Sequence, residues 1–336
     1  MYKSNDGRSK GLNILVGMSG GVDSSTAALM LKEQGHKVIG VTMAIYRGKL
    51  NTTTSYKCGG ACYSADEKED IEAARNICNQ IGIEYYVFDC VEKYNEIVLE
   101  KFKKEYLSGR TPNPCVWCNS LIKFDVLPRI AGLNGIEFDK FATGHYARIE
   151  EEDGRYILKR GKNPKKDQSY FLYRLKQEQL KNILLPLGDY TKEEIRKRAE
   201  KCGLAVADKP DSQDFYEGDY KELLGVDPKP GNIVDTDGKV LGEHQGIWNY
   251  TIGQRKGLGI SSSEALYVIE LRKDTNEVVV GFKDKTFSDR LTAVDLNWIA
   301  IDKLEKEISC QAKIRSTQSP ANVRVKPLDS GNIEVL

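Results

Sequence analysis

A glycine-rich turn between a strand and a helix constrains the fold of this chain more than any other feature of its sequence. Residues 12–16 form a short apolar run that predicts a buried strand, and residues 24–34 carry apolar side chains at helical spacing. The turn that joins them reads Ser19-Gly-Gly-Val-Asp-Ser24. Two adjacent glycines allow backbone N–H groups to converge, and the start of a helix adds the positive end of its dipole. The sequence therefore predicts an anion-binding turn that suits a pyrophosphate.

The same turn excludes one common class of nucleotide-binding loop and suggests a metal ligand. It is not a Walker A loop, because the Gly-Lys-Ser/Thr ending is absent. Asp23 lies in the turn, and carboxylate oxygens are ligands that Mg²⁺ prefers. We therefore expect Asp23 to bind Mg²⁺ beside the phosphates; the alternative is an ordinary glycine turn.

Strands and helices alternate over about the first 200 of the 336 residues. The pattern predicts further strands over 38–43, 85–88 and 138–143, and helices over 66–81, 91–107 and 121–133. This alternation is typical of an α/β fold with a parallel sheet covered on both faces. Beyond about residue 210, turn glycines and short alternating segments predict β structure. We expect a catalytic domain over 1–212, a small β-rich domain over 213–284 and a second β domain over 285–336.

Composition narrows the class of protein. No apolar run is long enough to cross a membrane, and the first residues are polar, so we expect a cytoplasmic protein without a membrane partner. The 50 basic and 49 acidic residues nearly cancel, yet residues 155–166 carry six bases and residues 309–326 carry four, both without an acid. Such stretches suit a phosphate backbone, although each one alone is also typical of a solvated surface.

The eight cysteines are expected to be reduced in the cytoplasm, which favours metal, redox or sulfur chemistry over disulfides. Cys115 and Cys118 form a C-x-x-C pair just before a predicted helix, whose start would lower a thiol pKa. Cys58 and Cys62 form a second pair in the loop after the second strand. Loops that follow parallel strands gather at one edge of the sheet, so the two pairs are expected to meet there. The alternative is that these cysteines are structural, as we expect of the other four.

Six motifs occur in the order found in a known family. They are Gly17-Met-Ser-Gly-Gly-Val-Asp-Ser-Ser25, Gly109-Arg-Thr-Pro-Asn-Pro114, Cys118-Asn119 with Ile122-Lys-Phe124, Ala142-Thr-Gly-His-Tyr146, Lys166-Asp-Gln-Ser-Tyr-Phe171 and Tyr250-Thr-Ile-Gly-Gln-Arg-Lys-Gly-Leu258. The first is similar to the signature of the PP-loop ATP pyrophosphatases. Together, and over nearly the whole chain, the six resemble the tRNA-specific 2-thiouridylases.

The resemblance implies a fold, a reaction and a set of site residues. The fold is a PP-loop (adenine nucleotide alpha-hydrolase-like) domain followed by a central β domain and a C-terminal β-barrel. The reaction is the ATP-dependent 2-thiolation of the wobble uridine in the tRNAs for Lys, Glu and Gln, through an adenylated uridine that later releases AMP. The residues that would hold ATP are Gly17, Met18, Ser19, Gly20, Gly21, Val22, Asp23, Ser24, Met43 and Gly144. Those that would meet the target base are Asn113, Pro114 and Cys115, and those that would contact tRNA are Lys166, Asp167, Gln168, Arg315 and Ser316. Cys118 matches the position of the family's nucleophile.

Three departures from the family pattern bear on mechanism. The family commonly carries a second cysteine, and Tyr216 stands at that position, which excludes a persulfide relay through it. Position 115 often holds aspartate in the family and holds cysteine here. The last β-barrel of the family normally extends beyond the residue equivalent to Leu336, so we expect this barrel to be incomplete.

These departures leave the mode of sulfur delivery open between three hypotheses. In the first, Cys115, Cys118 and either Cys62 or Cys58 bind a [4Fe-4S] cluster whose open iron carries sulfide. In the second, Cys118 carries a persulfide without iron, and in the third the cysteines bind structural zinc. The sulfur donor is expected to be a cysteine desulfurase, a persulfide carrier or sulfide.

Two other functions remain alternatives at the level of sequence. The first is a PP-loop enzyme that acts on another tRNA base or on a small carbonyl substrate. The second is a tRNA-binding paralogue without catalysis.

Overall fold

The computed structural model describes residues 11–46, 61–64, 66–206, 215–216 and 218–336. Its backbone divides into two compact units. The first unit contains Met1–Val98, Cys115–Glu217 and Asn297–Asp302, and the second contains Leu99–Pro114, Gly218–Leu296 and Lys303–Leu336.

The helices and strands alternate in the first half of the chain and give way to strands in the second half. Up to residue 142 they are β1 (Asn13–Gly17), α1 (Val22–Glu33), β2 (Lys37–Ala44), α2 (Glu67–Ile81), β3 (Glu84–Asp89), α3 (Val91–Tyr94), α4 (Glu100–Leu107), α5 (Pro114–Trp117), α6 (Leu127–Leu133) and β4 (Lys140–Ala142). From there to residue 234 they are β5 (Ala147–Glu152), β6 (Arg155–Arg160), α7 (Gln177–Asn182), β7 (Ile183–Leu184), α8 (Lys192–Lys201), α9 (Tyr220–Leu224) and β8 (Gly231–Val234). The remaining strands are β9 (Val240–His244), β10 (Tyr267–Arg272), β11 (Glu277–Gly281), β12 (Leu291–Ala293), β13 (Ile308–Ala312), β14 (Ala321–Pro327) and β15 (Ile333–Val335).

The first unit is built on a five-stranded parallel sheet of order β3-β2-β1-β4-β7. Its central strand β1 contributes Ile14, Leu15 and Val16, none of which is exposed to solvent. A strand that is buried on both faces needs such an unbroken apolar run, which is why the sequence showed no alternation there. One core joins β1 and β2 to apolar residues of α1 and α2. The predicted α/β fold with a parallel sheet is confirmed.

Two of the predicted helices differ from the structure, because each contains a π-helical segment. The segment Asn95–Leu99 lies between α3 and α4, and Cys118–Val126 lies between α5 and α6. The prediction that a helix begins at residue 121 was wrong, because helical structure begins at Pro114. Proline is favoured in a first helical turn, where its fixed φ suits the helix and its missing N–H costs no hydrogen bond. Cys115 and Cys118 therefore lie within this helical stretch and not before it.

The second unit contains two four-stranded sheets, of order β10-β11-β8-β9 and β12-β15-β14-β13. The first of these sheets buries Ile233, Val268, Val278 and Val280 almost completely. These sheets confirm the prediction of small β-rich domains after the α/β domain. Within the described ranges, no helix is long and apolar enough to cross a membrane.

Candidate functional site

The glycine-rich turn of the first unit has the geometry of an anion-binding site. Gly20 has a φ of 68°, and a Cβ at this position would lie 2.5 Å from the carbonyl oxygen of Asp70. Only glycine tolerates both conditions. Ser24 Oγ accepts a hydrogen bond from the Ser19 N–H at 3.1 Å and lies 3.2 Å from Ser19 Oγ. Both hydroxyls are thereby held at the start of α1, where free N–H groups attract an anion.

Gly144 of the Ala142–Tyr146 motif packs directly against this helix start. A Cβ at Gly144 would lie 2.7 Å from the carbonyl carbon of Asp23 and 2.7 Å from the amide nitrogen of Ser24. β2 lies at the same edge of the sheet, because the Met18 N–H donates to the Val41 carbonyl and the Thr42 hydroxyl donates to the Met18 carbonyl, both at 2.8 Å. The structure therefore brings Gly144 and the end of β2, which includes the half-buried Met43, to the turn.

The Asp23 carboxylate is engaged with two side chains that the sequence did not link to it. Lys192 Nζ donates to both carboxylate oxygens, at 2.7 and 2.8 Å, and the Tyr146 hydroxyl donates to one of them at 2.7 Å. The Lys192 side chain is only 7% exposed, whereas that of Asp23 is 28% exposed. Mg²⁺ at Asp23 would therefore share the carboxylate with the positive charge of Lys192.

The sequence contains a weak indication that Lys192 has an acidic partner. It follows the N-cap Thr191 in the first turn of α8, next to Glu193 and Glu194. A cation is disfavoured at that end of a helix because of the helix dipole. A lysine at such a position therefore indicates an acidic partner elsewhere in the fold.

Three of the four cysteines that were expected to meet lie near enough to one buried tyrosine to affect its ionisation. Tyr94 is 1% exposed; burial raises its pKa most, and negative charge on Cys118, Cys62 or Cys115 raises it further. None of these three cysteines is in a disulfide bond. Cys58 lies outside the described residues. Within the part of the chain that the structure describes, no three Cys, His, Asp or Glu side chains form a group that could hold a metal ion.

Burial raises the pKa of the Cys118 thiol to about 11, an effect to which nearby Cys62 adds and which nearby Lys123 opposes. The expectation that a helix start would lower this pKa was wrong for Cys118, because the cost of desolvating a thiolate outweighs the effect of the helix dipole. The free thiol is therefore protonated at neutral pH.

Lys123 connects the cysteine group electrostatically to the nucleotide motif. The π-helical segment bonds residue i to residue i+5, so Lys123 follows Cys118 by one π turn. In an α-helix, two side chains five positions apart are separated by about 1.4 turns and would point to different sides.

Burial and the charge of Lys123 hold the pKa of His145 well below its usual range, and His145 Nδ1 lies 2.7 Å from Thr143 Oγ1. The His145 side chain is therefore neutral. It lies next in sequence to Gly144, which packs against the glycine-rich turn.

Tyr216, at the position of the family's second cysteine, is 5% exposed and belongs to an aromatic cluster. Its ring centroid lies 6.3 Å from that of Tyr63, which stacks on Tyr94 at 5.5 Å. Tyr63 thus lies between Tyr216 and Tyr94, the tyrosine whose pKa the three cysteines affect. The rest of the stretch, residues 211–214, lies outside the described residues.

The residues that the resemblance assigns to tRNA fall in both units. Asp167 accepts hydrogen bonds from Gly161 and Ser169, and Gln168 accepts one from the Tyr146 N–H at 2.9 Å. These two side chains therefore order the loop that carries Lys166. The other residues of the set lie in the second unit, together with two that were assigned to the target base: Arg315, Ser316, Asn113 and Pro114.

Acidic side chains form ion pairs with several bases of the two basic stretches. Counting charges along the sequence could not show this, because the acids lie outside the stretches. Arg155 pairs with Asp302, and Lys159 pairs with Glu150 and Glu152 across the β5–β6 hairpin. In the second stretch, Arg324 and Lys326 both pair with Glu307, at 3.4 and 3.5 Å. The hairpin itself was not predicted, so its acids were not counted with its bases.

Comparison with known proteins places these features in one family. Residues 12–216 match a family described as tRNA methyl transferase HUP domain, residues 222–282 its PRC-barrel domain, and residues 288–336 a family described as aminomethyltransferase beta-barrel domain. The tRNA-specific 2-thiouridylase MnmA of Endomicrobium trichonymphae is 46% identical over 96% of this chain and 91% of its own length. The protein of the same name from Clostridium botulinum is 46% identical over 96% of this chain and 89% of its own length. A solved NMN synthetase from Francisella tularensis matches 63% of this chain and 71% of its own at 16% identity, with a TM-score of 0.36.

Proposed function

The chain belongs to the tRNA-specific 2-thiouridylases, which transfer sulfur to uridine in tRNA with ATP, and we propose that its own target is C2 of the wobble uridine in the tRNAs for Lys, Glu and Gln. ATP and Mg²⁺ are what this PP-loop family uses. The observation that carries the proposal is that residues 144–145 join the phosphate-binding turn to the cysteine helix. Gly144 packs on Asp23 and Ser24, and the His145 ring lies 5.6 Å from the ring of Phe124, which belongs to the same π-helical segment as Cys118.

The first chemical step is activation of the uridine oxygen. The turn at Ser19–Ser24 binds the β- and γ-phosphates, uridine O2 attacks the α-phosphorus, and pyrophosphate leaves. When bound, Mg²⁺ neutralises phosphate charge. In the second step a sulfur nucleophile attacks C2, the C2–O bond breaks, and AMP leaves with the former uridine oxygen. Asn113, Pro114 and Cys115 are proposed to contact the target base, and Lys166 to contact tRNA on the loop that Asp167 and Gln168 order.

We propose that Cys118 carries the sulfur, with Cys115 as its resolving thiol. Their positions differ by three, a spacing that places two side chains on the same side of a helix. A persulfide donor passes its outer sulfur to Cys118 and is released as a thiol. The terminal sulfur of the Cys118 persulfide attacks C2, and the Cys115 thiolate then breaks the S–S bond, which leaves 2-thiouridine and a Cys115–Cys118 disulfide. An external dithiol must reduce that disulfide before the next turnover. Cys115 would thus replace the thiol that is absent at Tyr216.

The arrangement of the described thiols does not fit an iron–sulfur cluster. Three thiols are the right donor type, but Cys62, Cys115 and Cys118 do not form a metal-binding group among the described residues. We therefore derive no step through a cluster. The cluster hypothesis is tested by anaerobic reconstitution with iron and sulfide, followed by spectroscopy of the wild type and of Cys115→Ala.

Pyrophosphate release tests the substrate class. The wild type should release pyrophosphate from ATP when unmodified tRNA is present and should not respond to small carboxylates. Release with a small carbonyl compound alone would favour the alternative PP-loop enzyme. Cys118→Ala should still release pyrophosphate with tRNA while it forms no 2-thiouridine, because adenylation precedes the sulfur step.

A further inference from the structure

The motif Tyr250–Leu258 in the second unit has no role in the chemistry described above. Its two ends are fixed in the apolar core of the β10-β11-β8-β9 sheet. Leu258 is 8% exposed and belongs to that core, and Tyr250 packs against it. Between these anchors, residues 251–257 form a loop at the surface of the unit, which we call the RK loop.

Hydrogen bonds within the RK loop and to strand β10 hold its backbone in place. The Gly253 N–H donates to the Val268 carbonyl at 2.8 Å, and the Val268 N–H donates to the Gln254 carbonyl at 2.9 Å. The Gln254 side chain accepts from the Thr251 N–H and donates to the Lys256 carbonyl, both at 3.0 Å. Gly253 and Gly257 have φ values of 84° and 77°, which a side chain at either position would disfavour. The loop is therefore ordered before any ligand binds.

Arg255 and Lys256 stand at the tip of this loop, and both are exposed. Within the described ranges, neither makes an ion pair or a side-chain hydrogen bond. Other bases of the same unit differ, since Arg272 pairs with Glu270 and Glu277. Two adjacent cations on an ordered loop, without a neutralising acid, form a local positive field that suits an anion.

Two other segments of the second unit touch the RK loop. The Thr111 and Thr251 hydroxyls are 3.4 Å apart, which joins the loop to the Gly109–Pro114 motif. Arg315 Nη2 donates to the Ile252 carbonyl at 3.4 Å. Three stretches that are far apart in sequence thus meet on one surface, and Arg315 adds a third cation to it.

We propose that the RK loop binds the ribose-phosphate backbone of the tRNA substrate, with Arg255 and Lys256 each contacting a phosphate. The proposal rests on the proposed function, because it takes tRNA as the substrate. A guanidinium binds a phosphate through two parallel hydrogen bonds and an ammonium binds it as a point charge, so this pair suits successive phosphates of one strand. The contact would position the tRNA independently of its sequence.

The salt dependence of tRNA affinity tests the proposal. The dissociation constant of the full chain for an unmodified tRNA transcript is measured by fluorescence anisotropy over a range of KCl concentrations. Each phosphate contact contributes about 0.7 to 0.9 to the slope of log affinity against log salt. Arg255→Gln and Lys256→Gln should each reduce the slope by about that amount, and the double variant by about twice as much. Lys273→Gln, which removes an exposed lysine from the β10–β11 turn of the same unit, is the matched control and should leave the slope unchanged.

The possible outcomes separate this proposal from the proposed function. A slope in the double variant equal to that of the wild type, with wild-type binding and thiolation intact, overturns the RK loop proposal alone. Absence of tRNA binding by the wild type at every salt concentration overturns both. A double variant that keeps the wild-type slope but loses thiolation only with a protein sulfur donor assigns the loop to that protein, which also overturns the proposal. Thermal unfolding of each variant checks that the fold is retained.

Discussion

Removing Asp23 should lower the free energy of unfolding more than removing its ion-pair partner Lys192. In Asp23→Asn, an ammonium whose side chain is only 7% exposed loses the carboxylate that accepts two of its hydrogen bonds. Removing one partner of a buried pair costs about 3–5 kcal/mol. In Lys192→Met, an apolar chain of similar length fills the space, and the remaining carboxylate is 28% exposed and keeps the Tyr146 hydroxyl. The loss of its charge-assisted hydrogen bonds costs about 1.5–3 kcal/mol.

The double variant distinguishes a buried charge from a simple loss of contacts. Asp23→Asn with Lys192→Met removes both charges, so its free energy of unfolding should exceed that of Asp23→Asn alone. The assay is urea denaturation followed by circular dichroism and tryptophan fluorescence, with the free energy taken from linear extrapolation. The control is Lys93→Met, which removes an exposed i,i+3 pair with Glu96 at 2.7 Å and should change the free energy by no more than about 0.5 kcal/mol. Equal costs for the two single variants, and a double variant equal to their sum, would refute the reasoning.

Three further outcomes follow from the structure. Gly144→Ala should abolish tRNA-dependent pyrophosphate release while tRNA affinity is kept, because its Cβ would lie 2.7 Å from Asp23 and Ser24 backbone atoms; normal release would contradict the close packing. Because the pKa of Cys118 is about 11, its alkylation by iodoacetamide should be slow at pH 7 and rise about tenfold per pH unit to pH 10, measured against Cys118→Ser. Burial lowers the pKa of His244, so the unfolded chain binds more protons; stability should fall as pH decreases below about 6.5 in urea titrations, and His244→Gln should weaken that dependence without abolishing it, because His145 contributes in the same direction.

The phosphate-binding turn was predictable because its chemistry is local. The apolar strand, the glycines and the two serines lie within about a dozen residues, and each has a backbone or hydrogen-bonding requirement that sequence patterns record. The parallel sheet was predictable from the alternation of strand and helix patterns along the chain. Gly144 was assigned to the ATP site only through family resemblance, and its contact with Asp23 and Ser24 is known only from the structure, since no local pattern links positions about 120 residues apart.

The electrostatics of the site were not predictable from spacing. Lys192 lies 169 residues from Asp23 along the chain, so only the folded structure pairs them. The C-x-x-C spacing of Cys115 and Cys118 suggested a lowered thiol pKa, but burial reversed the direction for Cys118. Nothing in the apolar pattern marked the π-helical segment that places Lys123 one turn from Cys118. The domain boundaries at residues 212 and 284 stay predictions.

Mass spectrometry of the wobble uridine tests the central claim most directly. Unmodified tRNA is incubated with the full chain, ATP, Mg²⁺, a dithiol and a cysteine desulfurase with cysteine as the persulfide donor, with and without prior anaerobic reconstitution with iron and sulfide. We expect one oxygen of the uridine to be replaced by one sulfur only when ATP is present, with metal-free protein active and Cys118→Ala inactive. Thiolation without ATP, or thiolation by Cys118→Ala equal to that of the wild type, would contradict the account, and activity that appears only after reconstitution would reject sulfur delivery by Cys118 persulfide.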